Sequence, residues 1–476
     1  MKTFPLEIAL KPSVQFLYDR FRAAGYELYI VGGFVRDRLL NRPGGDIDFA
    51  TSARPAEMIR LFERVVRTGI KYGTCTILIG TDSYEVTTYR TEGRYEDRRR
   101  PSKVDFGTDL LADLERRDFT INAFAYDIAR GEVIDAFLGQ EDLHSKCIRT
   151  IGNAEDRFNE DALRMMRAAR LVGELNFSLD IECLLGMKAC AKQLSQVSAE
   201  RLRDELSKLL LSDHPVAGLR ALEKGTLLSY LLPELVKTQG VMQNAFHAHD
   251  VYEHTLAVVD AVAKYKRTLA TKDILKNNIT LLLAALLHDI GKPQTRKEGE
   301  LEGQVSFLNH EQEGAKMSQV ILKRLKFSKR DIETVVLLVR EHMIYNTSKW
   351  SDGGVRRWLN RVGIENKDRL IALVRADRVG RGVTERMTEV AREKENADLE
   401  HFERRIDDLI ASQTAFKISD LKIGGTELME VFSLSPSPLI GEVLQHLLEK
   451  VLEDPALNTD KKLLAEAEIF LKSKVF

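Results

Sequence analysis

Two aspartates near the N-terminus, Asp46 and Asp48, are spaced so that they could hold a metal ion. They belong to an apolar segment over 46–50 that has the composition of a β-strand. Side chains alternate between the two faces of a strand, so carboxylates at positions i and i+2 point to the same side. Carboxylate oxygens bind Mg²⁺ well, and two of them are costly to leave side by side without a cation. We therefore predict a Mg²⁺ site at Asp46 and Asp48.

A Gly-Gly pair precedes these aspartates at Gly32 and Gly33, between a predicted strand over 27–31 and a predicted helix over 34–40. Glycines leave the backbone N–H groups uncovered at the start of a helix, where a triphosphate can bind. Either motif alone is more often structural. Together, at this spacing, they favour nucleotidyl transfer by a two-metal mechanism, in which the metals contact the attacking and leaving oxygens.

Four motifs between residues 29 and 170 resemble, in order, those of the class II tRNA nucleotidyltransferase (CCA-adding enzyme) and poly(A) polymerase family. They are YIVGGFVRDRLLNRPGGDIDFA (29–50), ERRDFTINA (115–123), GEVIDAFLGQED (131–142) and RFNEDALRMMRAAR (157–170). The resemblance implies that Asp46 and Asp48 are catalytic metal ligands. It also implies a nucleotide-binding set, formed by Gly32, Gly33, Arg36, Arg117, Asp161, Arg164, Arg167 and Arg170.

Within that set, the resemblance assigns base recognition to Asp161 and Arg164. The two are expected on one turn of a helix over 161–175, where they would share a face. A carboxylate beside a guanidinium can read the edge of a base. Cytosine and adenine both present an amino donor beside a ring-nitrogen acceptor, so one pair can serve CTP and ATP. A solvated helix face with ion pairs is the alternative interpretation of these residues alone.

The other members of the set are expected around the phosphates and sugar. The resemblance places Gly33 and Arg36 at the triphosphate and Arg117 at the sugar. Arg167 and Arg170 continue the three-residue spacing from Arg164 and would lie near the phosphates. Outside the set, Glu85 is either a third carboxylate beside the catalytic pair or a structural partner of Arg90.

Six of the ten histidines fall between residues 247 and 342, and this region resembles an HD-type phosphohydrolase domain. The resemblance implies a metal site of His254, His288, Asp289 and Asp377. His310 and His342 match positions that hold a second metal in some members. Such ligands suit Mn²⁺, Ni²⁺, Zn²⁺ or Fe²⁺, and a metal-bound hydroxide can attack a phosphoester. The alternative is a scaffold in which these histidines are core polar groups.

The chain of 476 residues is long enough for three or four domains. We expect an α/β nucleotidyltransferase head, with a small mixed sheet and helices, followed by an all-α neck, body, HD domain and tail. The expected domains are the catalytic head (1–140), a nucleotide-selecting and RNA-binding neck and body (141–240), the HD domain (241–400) and a tRNA-binding tail (401–476). Strands are predicted at 27–31, 46–50, 74–80, 84–89 and 131–135. The net charge of −1 means that any RNA-binding surface is a local patch.

The sequence also predicts the cellular location of the protein and its ability to add the terminal A. Four cysteines without metal-ligand spacing, no signal sequence and no long apolar run favour a cytoplasmic protein without a membrane span. The polar segment 90–115 corresponds to a flexible loop that, in the family, is associated with the switch from adding C to adding A. It is not shortened here, which favours terminal A addition.

The resemblance therefore predicts a tRNA 3′-end nucleotidyltransferase that uses CTP and ATP to build or repair CCA and releases pyrophosphate. An A-adding-only enzyme and a poly(A) polymerase share the same motifs and stay open. An HD phosphohydrolase with a vestigial head, or a non-catalytic RNA-binding scaffold, would belong to a different class. The oligomeric state is not predicted by the sequence.

Overall fold

The computed structural model describes residues 1–92, 104–107, 109–268, 278–299, 304–345, 347–384, 386–412 and 416–474. The chain divides into two units, Met1–Pro233 and Glu234–Phe476. The division into four domains stays a prediction. Its expected boundary at residue 400 lies inside one long helix, Glu389–Ala411. None of the helices among the described residues has the length and apolar character needed to span a membrane.

The first unit contains a mixed sheet of eight strands in its described part. The strands are β1 (Lys2–Pro5), β2 (Leu28–Val31), β3 (Asp48–Thr51), β4 (Val65–Gly69), β5 (Thr74–Ile79), β6 (Asp82–Thr88), β9 (Phe124–Asp127) and β10 (Glu132–Asp135). Their order is β1-β10-β9-β2-β3-β6-β5-β4. The β3–β6 pair is parallel and the other pairs are antiparallel. The sheet confirms the predicted mixed α/β head, and β1, β4 and β9 are strands that the sequence prediction missed.

Smaller strand pairs and helices complete this unit. The pairs are β7 (Arg90–Glu92) with β8 (Val104–Phe106), and β11 (Cys147–Ile148) with β12 (Ser178–Leu179). The helices of the sheet region are α1 (Pro12–Ala23), α2 (Gly33–Leu39), α3 (Pro55–Leu61), α4 (Leu110–Glu115) and α5 (Gly139–His144). The helices that follow are α6 (Ala154–Glu160), α7 (Leu163–Leu175), α8 (Ile181–Cys190), α9 (Ala199–Leu210), α10 (Pro215–Lys224) and α11 (Leu228–Leu231), and α12 (Pro233–Val236) spans the unit boundary.

The central strands β2 and β3 set the position of the site. Each has neighbours on both sides, and their apolar residues, such as Ile30 and Phe49, are buried. Because β2 and β3 are antiparallel, with Val31 opposite Asp48, the end of β2 meets the start of β3. The Gly32-Gly33 turn and the first residue of β3 therefore lie at the same edge of the sheet.

In the described part of the second unit, the structure is helical apart from one antiparallel strand pair, β13 (Lys297–Glu298) with β14 (Val305–Ser306). Its helices are α13 (Val251–Thr268), α14 (Ile279–Leu287), α15 (Lys292–Thr295), α16 (His310–Arg324), α17 (Lys329–Glu341), α18 (Asp352–Val362), α19 (Lys367–Gly380), α20 (Glu389–Ala411), α21 (Gly425–Phe432), α22 (Pro438–Glu453) and α23 (Asp460–Lys474). Helix α14, which is apolar apart from Thr280, is buried over almost its whole length. The last three helices share a core of their own around Leu428, Leu447 and Leu463.

Candidate active site and metal centre

The first unit contains a cavity of about 760 Å³ at the edge where β2 ends and β3 begins. Its carboxylate lining consists of Asp48, Glu85, Asp118 and Asp161. Its cationic lining consists of Arg36, Arg90, Arg116, Arg117, Arg164, Arg167, Arg170 and Arg201. Eight guanidiniums around one cavity favour a ligand with several negative charges, such as a triphosphate. Every nucleotide-binding residue implied by the resemblance lies in this lining, and Asp46 is the one member of the predicted head site that lies outside it.

Asp48 lies on the cavity wall directly opposite Glu85. The two residues are Cα partners in the parallel register of β3 and β6. Asp48 is exposed at the cavity wall, where desolvation by the surrounding protein raises its pKa; the negative charges of Glu85 and Asp46 raise this pKa further, while Arg117 lowers it. Carboxylates that oppose each other's ionisation gain most from a bound divalent cation. The oxygen donors present therefore fit Mg²⁺, and Glu85 adjoins the predicted pair.

Asp46 corrects one part of the sequence prediction. The strand expected over 46–50 begins only at Asp48, because the preceding Pro43-Gly44-Gly45 segment has no regular structure. Asp46 therefore lies in the loop before β3 and is exposed. It still influences Asp48, since its charge is one cause of the raised pKa of that residue. Its role as a metal ligand stays a prediction.

At the Gly-Gly turn, the backbone of the protein lines the cavity. Gly32 has φ 78° and ψ −142°, a conformation that L-residues with a side chain rarely adopt. A Cβ atom at Gly32 would also lie 3.3 Å from Nη1 of Arg117. A side chain at this position would therefore displace a cation that faces the cavity. Both features explain why the turn needs glycine here.

Arg36 is held rigidly one helical turn after Gly33. Its Nη1 donates to Oδ1 of Asn122 at 2.8 Å, and its Nε and Nη2 donate to Oδ1 of Asp37 at 2.9 and 2.8 Å. The guanidinium is largely buried and lines the cavity. Asn122 belongs to the second motif, ERRDFTINA, so two of the sequence motifs meet at this contact.

Arg117 contacts a buried carboxylate from α4. Its Nη2 lies 3.3 Å from Oδ2 of Asp113, and Nη2 of Arg116 donates to Oδ1 of the same carboxylate at 2.6 Å. Burial opposes ionisation of Asp113, but the two guanidiniums outweigh it and lower the pKa of that carboxyl. Burial lowers the pKa of Arg117. A charged guanidinium in a dry environment binds a phosphate or sugar oxygen more strongly than it would in water.

Asp161 is not on a helical turn with Arg164, contrary to the sequence prediction. The chain between α6 and α7 is extended at Asp161, with φ −145° and ψ 104°. The cause is its own side chain, since Oδ1 of Asp161 accepts the N–H of Leu163 at 3.0 Å and interrupts the helix. Arg164 occupies the first turn of α7. The two side chains nevertheless line the same cavity.

Further hydrogen bonds fix this pair. Arg164 donates to the carboxylate of Glu160 and, at 3.0 Å, to the carbonyl oxygen of Arg116. Nη2 of Arg201 on α9 donates to Oδ2 of Asp161 at 2.7 Å. The sequence prediction missed Arg201, because a helix over 199–211 could be recognised from its periodicity but its packing against a residue 40 positions earlier could not.

Arg167 and Arg170 follow on the same face of α7, each with a carboxylate partner. Nη2 of Arg167 lies 2.7 Å from Oδ2 of Asp118, and Nε of Arg170 lies 2.7 Å from Oε2 of Glu205. Burial opposes ionisation of Asp118, but Arg167 and Arg164 outweigh it and lower its pKa. The arginines at the three-residue spacing together line one wall of the cavity, and their role toward a nucleotide stays a prediction.

The second unit brings together all six predicted metal ligands. His254, His288 and Asp377 form one group of three, and Asp289, His310 and His342 form a second. Within each group the potential ligand atoms lie within 4.8 Å of one another. The residues come from α13, the end of α14, α16, the end of α17 and α19. They are buried except for Asp377, which is partly exposed.

Asp289 lies between the two groups. Its Oδ2 is 3.3 Å from Nε2 of His254 and 3.2 Å from Nε2 of His288. Its Oδ1 is 3.3 Å from Nε2 of His310 and 3.9 Å from Nε2 of His342. Each oxygen of the Asp289 carboxylate therefore faces the histidines of a different group. A carboxylate that bridges two metal ions requires this arrangement.

Three of the histidines are oriented through their other ring nitrogen. Nδ1 donates to a backbone carbonyl oxygen in each: His288 to Ala285 at 2.9 Å, His310 to Phe307 at 2.7 Å and His342 to Val339 at 2.6 Å. This contact leaves the Nε2 lone pair directed to the centre, as is usual for metal-bound histidines. Burial and neighbouring histidines lower the pKa of His342 to about 3, so its ring is neutral, which is the ligand form.

Lys292 and Gln243, which the sequence prediction did not single out, complete the centre. Nζ of Lys292 lies 2.6 Å from Oδ2 of Asp289 and 2.6 Å from Oε1 of Gln243. Burial opposes ionisation of Asp289, but His288 and Lys292 hold its pKa well below the usual range. The sequence could have indicated Lys292 through its position three residues after Asp289, because this spacing places both residues in one helical turn.

Families of known proteins match regions in both units of the chain. Residues 28–149 match the Poly A polymerase head domain family, residues 176–238 match the family described as the probable RNA and SrmB-binding site of polymerase A, and residues 251–382 match the HD domain family. Both the nucleotidyltransferase and HD families are metal-dependent, and the groups of potential ligands described above agree with that property.

Curated relatives extend over nearly the whole chain. The CCA-adding enzyme of Bacillus cytotoxicus is 32% identical over 92% of this chain and 93% of its own length. The CCA-adding enzyme of Ligilactobacillus salivarius is 31% identical over 96% of each chain.

Solved structures agree. The crystal structure of the Bacillus stearothermophilus CCA-adding enzyme in complex with CTP is 27% identical, with a TM-score of 0.69, over 98% of this chain and 99% of that one. The Thermotoga maritima CCA-adding enzyme complexed with tRNA shares the fold, with a TM-score of 0.58 at 18% identity over 97% of this chain and 96% of that one. The chain thus belongs to the family of CCA-adding enzymes.

Proposed function

We propose that this chain adds the 3′-terminal CCA to tRNA from CTP and ATP by nucleotidyl transfer. The observation that carries the proposal is one cavity that joins the carboxylate Asp48 to the Asp161–Arg164 pair and to the arginine wall. The related structures support the substrates, because they are CCA-adding enzymes in complex with CTP, with ATP and with tRNA. A cytosolic location is part of the proposal, supported by the four free cysteines.

Base selection is assigned to Asp161 and Arg164. A carboxylate accepts from the exocyclic amino group of cytosine or adenine, and a guanidinium donates to the adjacent ring nitrogen. Uracil and guanine present a carbonyl oxygen and a ring N–H at these positions, so both contacts would become repulsive. Arg201 holds the Asp161 carboxylate at 2.7 Å and keeps it from turning away when no base is bound.

The phosphates are assigned to the Gly33 backbone and to the guanidiniums of Arg36, Arg167 and Arg170. Each of these arginines already contacts a carboxylate or amide of the protein, so its position is set before the nucleotide arrives. Preorganised cations lose little freedom when they bind the triphosphate, and they stabilise the charge that develops on the leaving pyrophosphate. Arg117, beside Gly32, is assigned to the sugar.

In the reaction, the 3′-hydroxyl oxygen of the RNA attacks the α-phosphorus, and the bond between the α-phosphorus and the pyrophosphate oxygen breaks. Asp46 and Asp48 would hold Mg²⁺, which when bound makes the hydroxyl a better nucleophile and neutralises phosphate charge. Glu85 faces Asp48 and is available to the same cation. The chain's own part is to align the nucleotide, through Arg36 and Arg117 on one side and α7 on the other.

The expectation of terminal A addition comes from a loop that is not shortened. It rests largely on residues 93–103 and 108, which lie outside the described residues. The choice between complete CCA addition and A-only addition therefore depends on experiment. The proposal is tested by offering CTP and ATP to tRNA that lacks CCA. Growth by CCA supports it, and no extension contradicts it.

A second candidate activity is phosphoester hydrolysis at the HD centre. It is favoured by the position of Asp289, whose two oxygens each face a group of ligand atoms. Mn²⁺, Ni²⁺, Zn²⁺ or Fe²⁺ suits the imidazole and carboxylate donors and would supply a hydroxide near neutral pH. Lys292 would bind an oxygen of the substrate phosphate, since its ammonium already lies beside Asp289.

Asp289→Asn should lose both metal ions and His342→Ala should lose one, because the oxygens of Asp289 face ligand atoms of both groups and His342 is a potential ligand in the second group alone. Metal content after Mn²⁺ loading and desalting, together with hydrolysis of a model phosphodiester, measures the effect. His249→Ala, at an exposed histidine, is the matched control. CCA addition should be unchanged in all three. A wild-type protein that retains no Mn²⁺ would refute the metal centre.

A further inference from the structure

The loop that joins α2 to β3, residues 40–47, carries Asp46 and is attached to the protein through Arg42. The backbone of Arg42 is held at both ends: its N–H donates to the carbonyl oxygen of Asp37 at 2.8 Å, and its carbonyl oxygen accepts from Nη2 of Arg38 at 3.0 Å. Most of the surrounding loop is exposed, including Asp46 itself. The contacts of Arg42 therefore determine where this loop lies.

The side chain of Arg42 reaches the C-terminal end of α7. Nη1 donates to the carbonyl oxygen of Glu174 at 2.6 Å, and Nη2 lies 3.4 Å from Oδ2 of Asp213. The last carbonyls of a helix have no partner within the helix and carry its negative dipole end, so an arginine there is well placed. The Glu174 contact is short, while the Asp213 contact is long and exposed.

The same helix carries the residues that line the nucleotide cavity. Arg164 and Arg170 lie on α7, and Arg170 Nη1 lies 2.5 Å from Oε1 of Glu174. Glu174 thus contacts Arg42 through its backbone and a cavity cation through its side chain. Asp46 follows Arg42 by four positions, so this contact links the predicted metal ligand to the helix that reads the base.

A second contact limits the freedom of the loop between Arg42 and Asp46. A Cβ atom at Gly44 would lie 2.7 Å from Cε2 of Phe34 and 2.9 Å from Nη2 of Arg38. The backbone at Gly44 is therefore packed directly against α2. With Arg42 and Gly44 both fixed, Asp46 has only one further residue, Gly45, in which to change its path.

We propose that Arg42 is a positioning residue for nucleotide addition: it holds the Asp46 loop against the C-terminal end of α7 and so fixes the distance between the metal carboxylates and the nucleotide. This inference rests on the proposed function, in which Asp46 is a Mg²⁺ ligand. It adds to that function a residue which touches neither nucleotide nor metal but holds the loop that carries Asp46 at a set position relative to α7.

The test compares Arg42→Met, which keeps the length of the side chain but removes its donors, with Arg42→Lys, which keeps one donor. For Arg42→Met we expect kcat to fall about tenfold, because a small displacement of a reacting group is costly. The half-saturating Mg²⁺ concentration should rise, and Arg42→Lys should recover part of both. Asp213→Asn, at the long exposed contact, and Arg22→Met, at an exposed arginine of α1, should match wild type.

A second readout does not depend on catalysis. Calorimetric titration of the full-length protein with CTP, with and without Mg²⁺, should show an unchanged Mg²⁺-free affinity in Arg42→Met but a smaller gain on adding Mg²⁺. A general structural role would instead weaken Mg²⁺-free binding and lower the melting temperature together, and that result would overturn the proposal, as would wild-type Mg²⁺ dependence. If Arg42→Met does not fold, the same two outcomes are scored on Arg42→Lys.

Asp46→Ala, measured in parallel, separates this inference from the function on which it rests. An active Asp46→Ala protein would show that the metal assignment itself is wrong. An inactive, folded Asp46→Ala protein beside a fully active Arg42→Met protein would leave that assignment intact and refute only the role of Arg42.

Discussion

Asp48→Asn is expected to lower the rate of nucleotide addition by roughly a thousandfold, because cation binding at the site contributes several kcal/mol to transition-state stabilisation and each 1.36 kcal/mol is a factor of ten. Asparagine keeps the size of the side chain but removes its charge. Single-turnover incorporation of CMP into tRNA, at saturating CTP and Mg²⁺, measures the effect without interference from product release.

The same variant should fold as well as wild type or slightly better. In the folded protein, desolvation at the cavity wall and the charges of Glu85 and Asp46 raise the pKa of Asp48. A carboxyl whose pKa is raised on folding destabilises the folded state above its unfolded pKa, so its charge is unfavourable at neutral pH in the absence of metal. Thermal melting in EDTA tests this. Asp19→Asn, at an exposed residue of α1, is the control, and full activity in a folded Asp48→Asn protein would contradict the catalytic role.

Arg164→Ala should relax the choice of base more than it weakens binding of the triphosphate. The guanidinium is expected to donate to the ring nitrogen of cytosine or adenine, and a good base contact of this type is worth about 1–3 kcal/mol of discrimination. We therefore expect the ratio of kcat/KM for CTP to that for UTP to fall by about ten- to a hundredfold. Incorporation from each of the four nucleoside triphosphates, measured separately, gives this ratio.

Arg167→Ala is the matched control, since Arg167 lies three residues later on the same face of α7 and contacts Asp118. It should raise KM for CTP and ATP alike without changing the ratio between bases, as expected for a residue near the phosphates. An unaltered CTP, ATP, UTP and GTP profile in a folded Arg164→Ala protein would remove Arg164 from base selection.

The sequence predicted those parts of the site whose positions follow from local patterns. The apolar run before Gly32 and the alternation of polar and apolar residues from Asp46 to Phe49 are properties of short segments, and both strands formed within two residues of the predicted bounds. The three-residue spacing of Arg164, Arg167 and Arg170 likewise became one wall of the cavity. These features depend only on the period of a helix or strand.

The differences arise where a side chain competes with the backbone or where distant segments meet. Asp161 accepts an N–H two residues ahead and thereby ends the helix that its sequence context favoured. The proline and glycines before Asp46 delay β3. Contacts such as Arg201 with Asp161 and Arg42 with Glu174 join residues 40 and 132 positions apart, and no local pattern predicts them.

The central claim is tested most directly by following single-nucleotide extension of three tRNAs, which end before CCA, after the first C and after CC. Each is offered CTP, ATP or both with Mg²⁺, beside an unstructured RNA of similar length. We predict that the three tRNAs grow by CCA, CA and A, respectively, and then stop, while the unstructured RNA is not extended. Addition of a single A to the CC-ending tRNA, without extension of the other two, would identify an A-adding enzyme. Long A tails on the unstructured RNA, or no extension of any substrate, would contradict CCA addition.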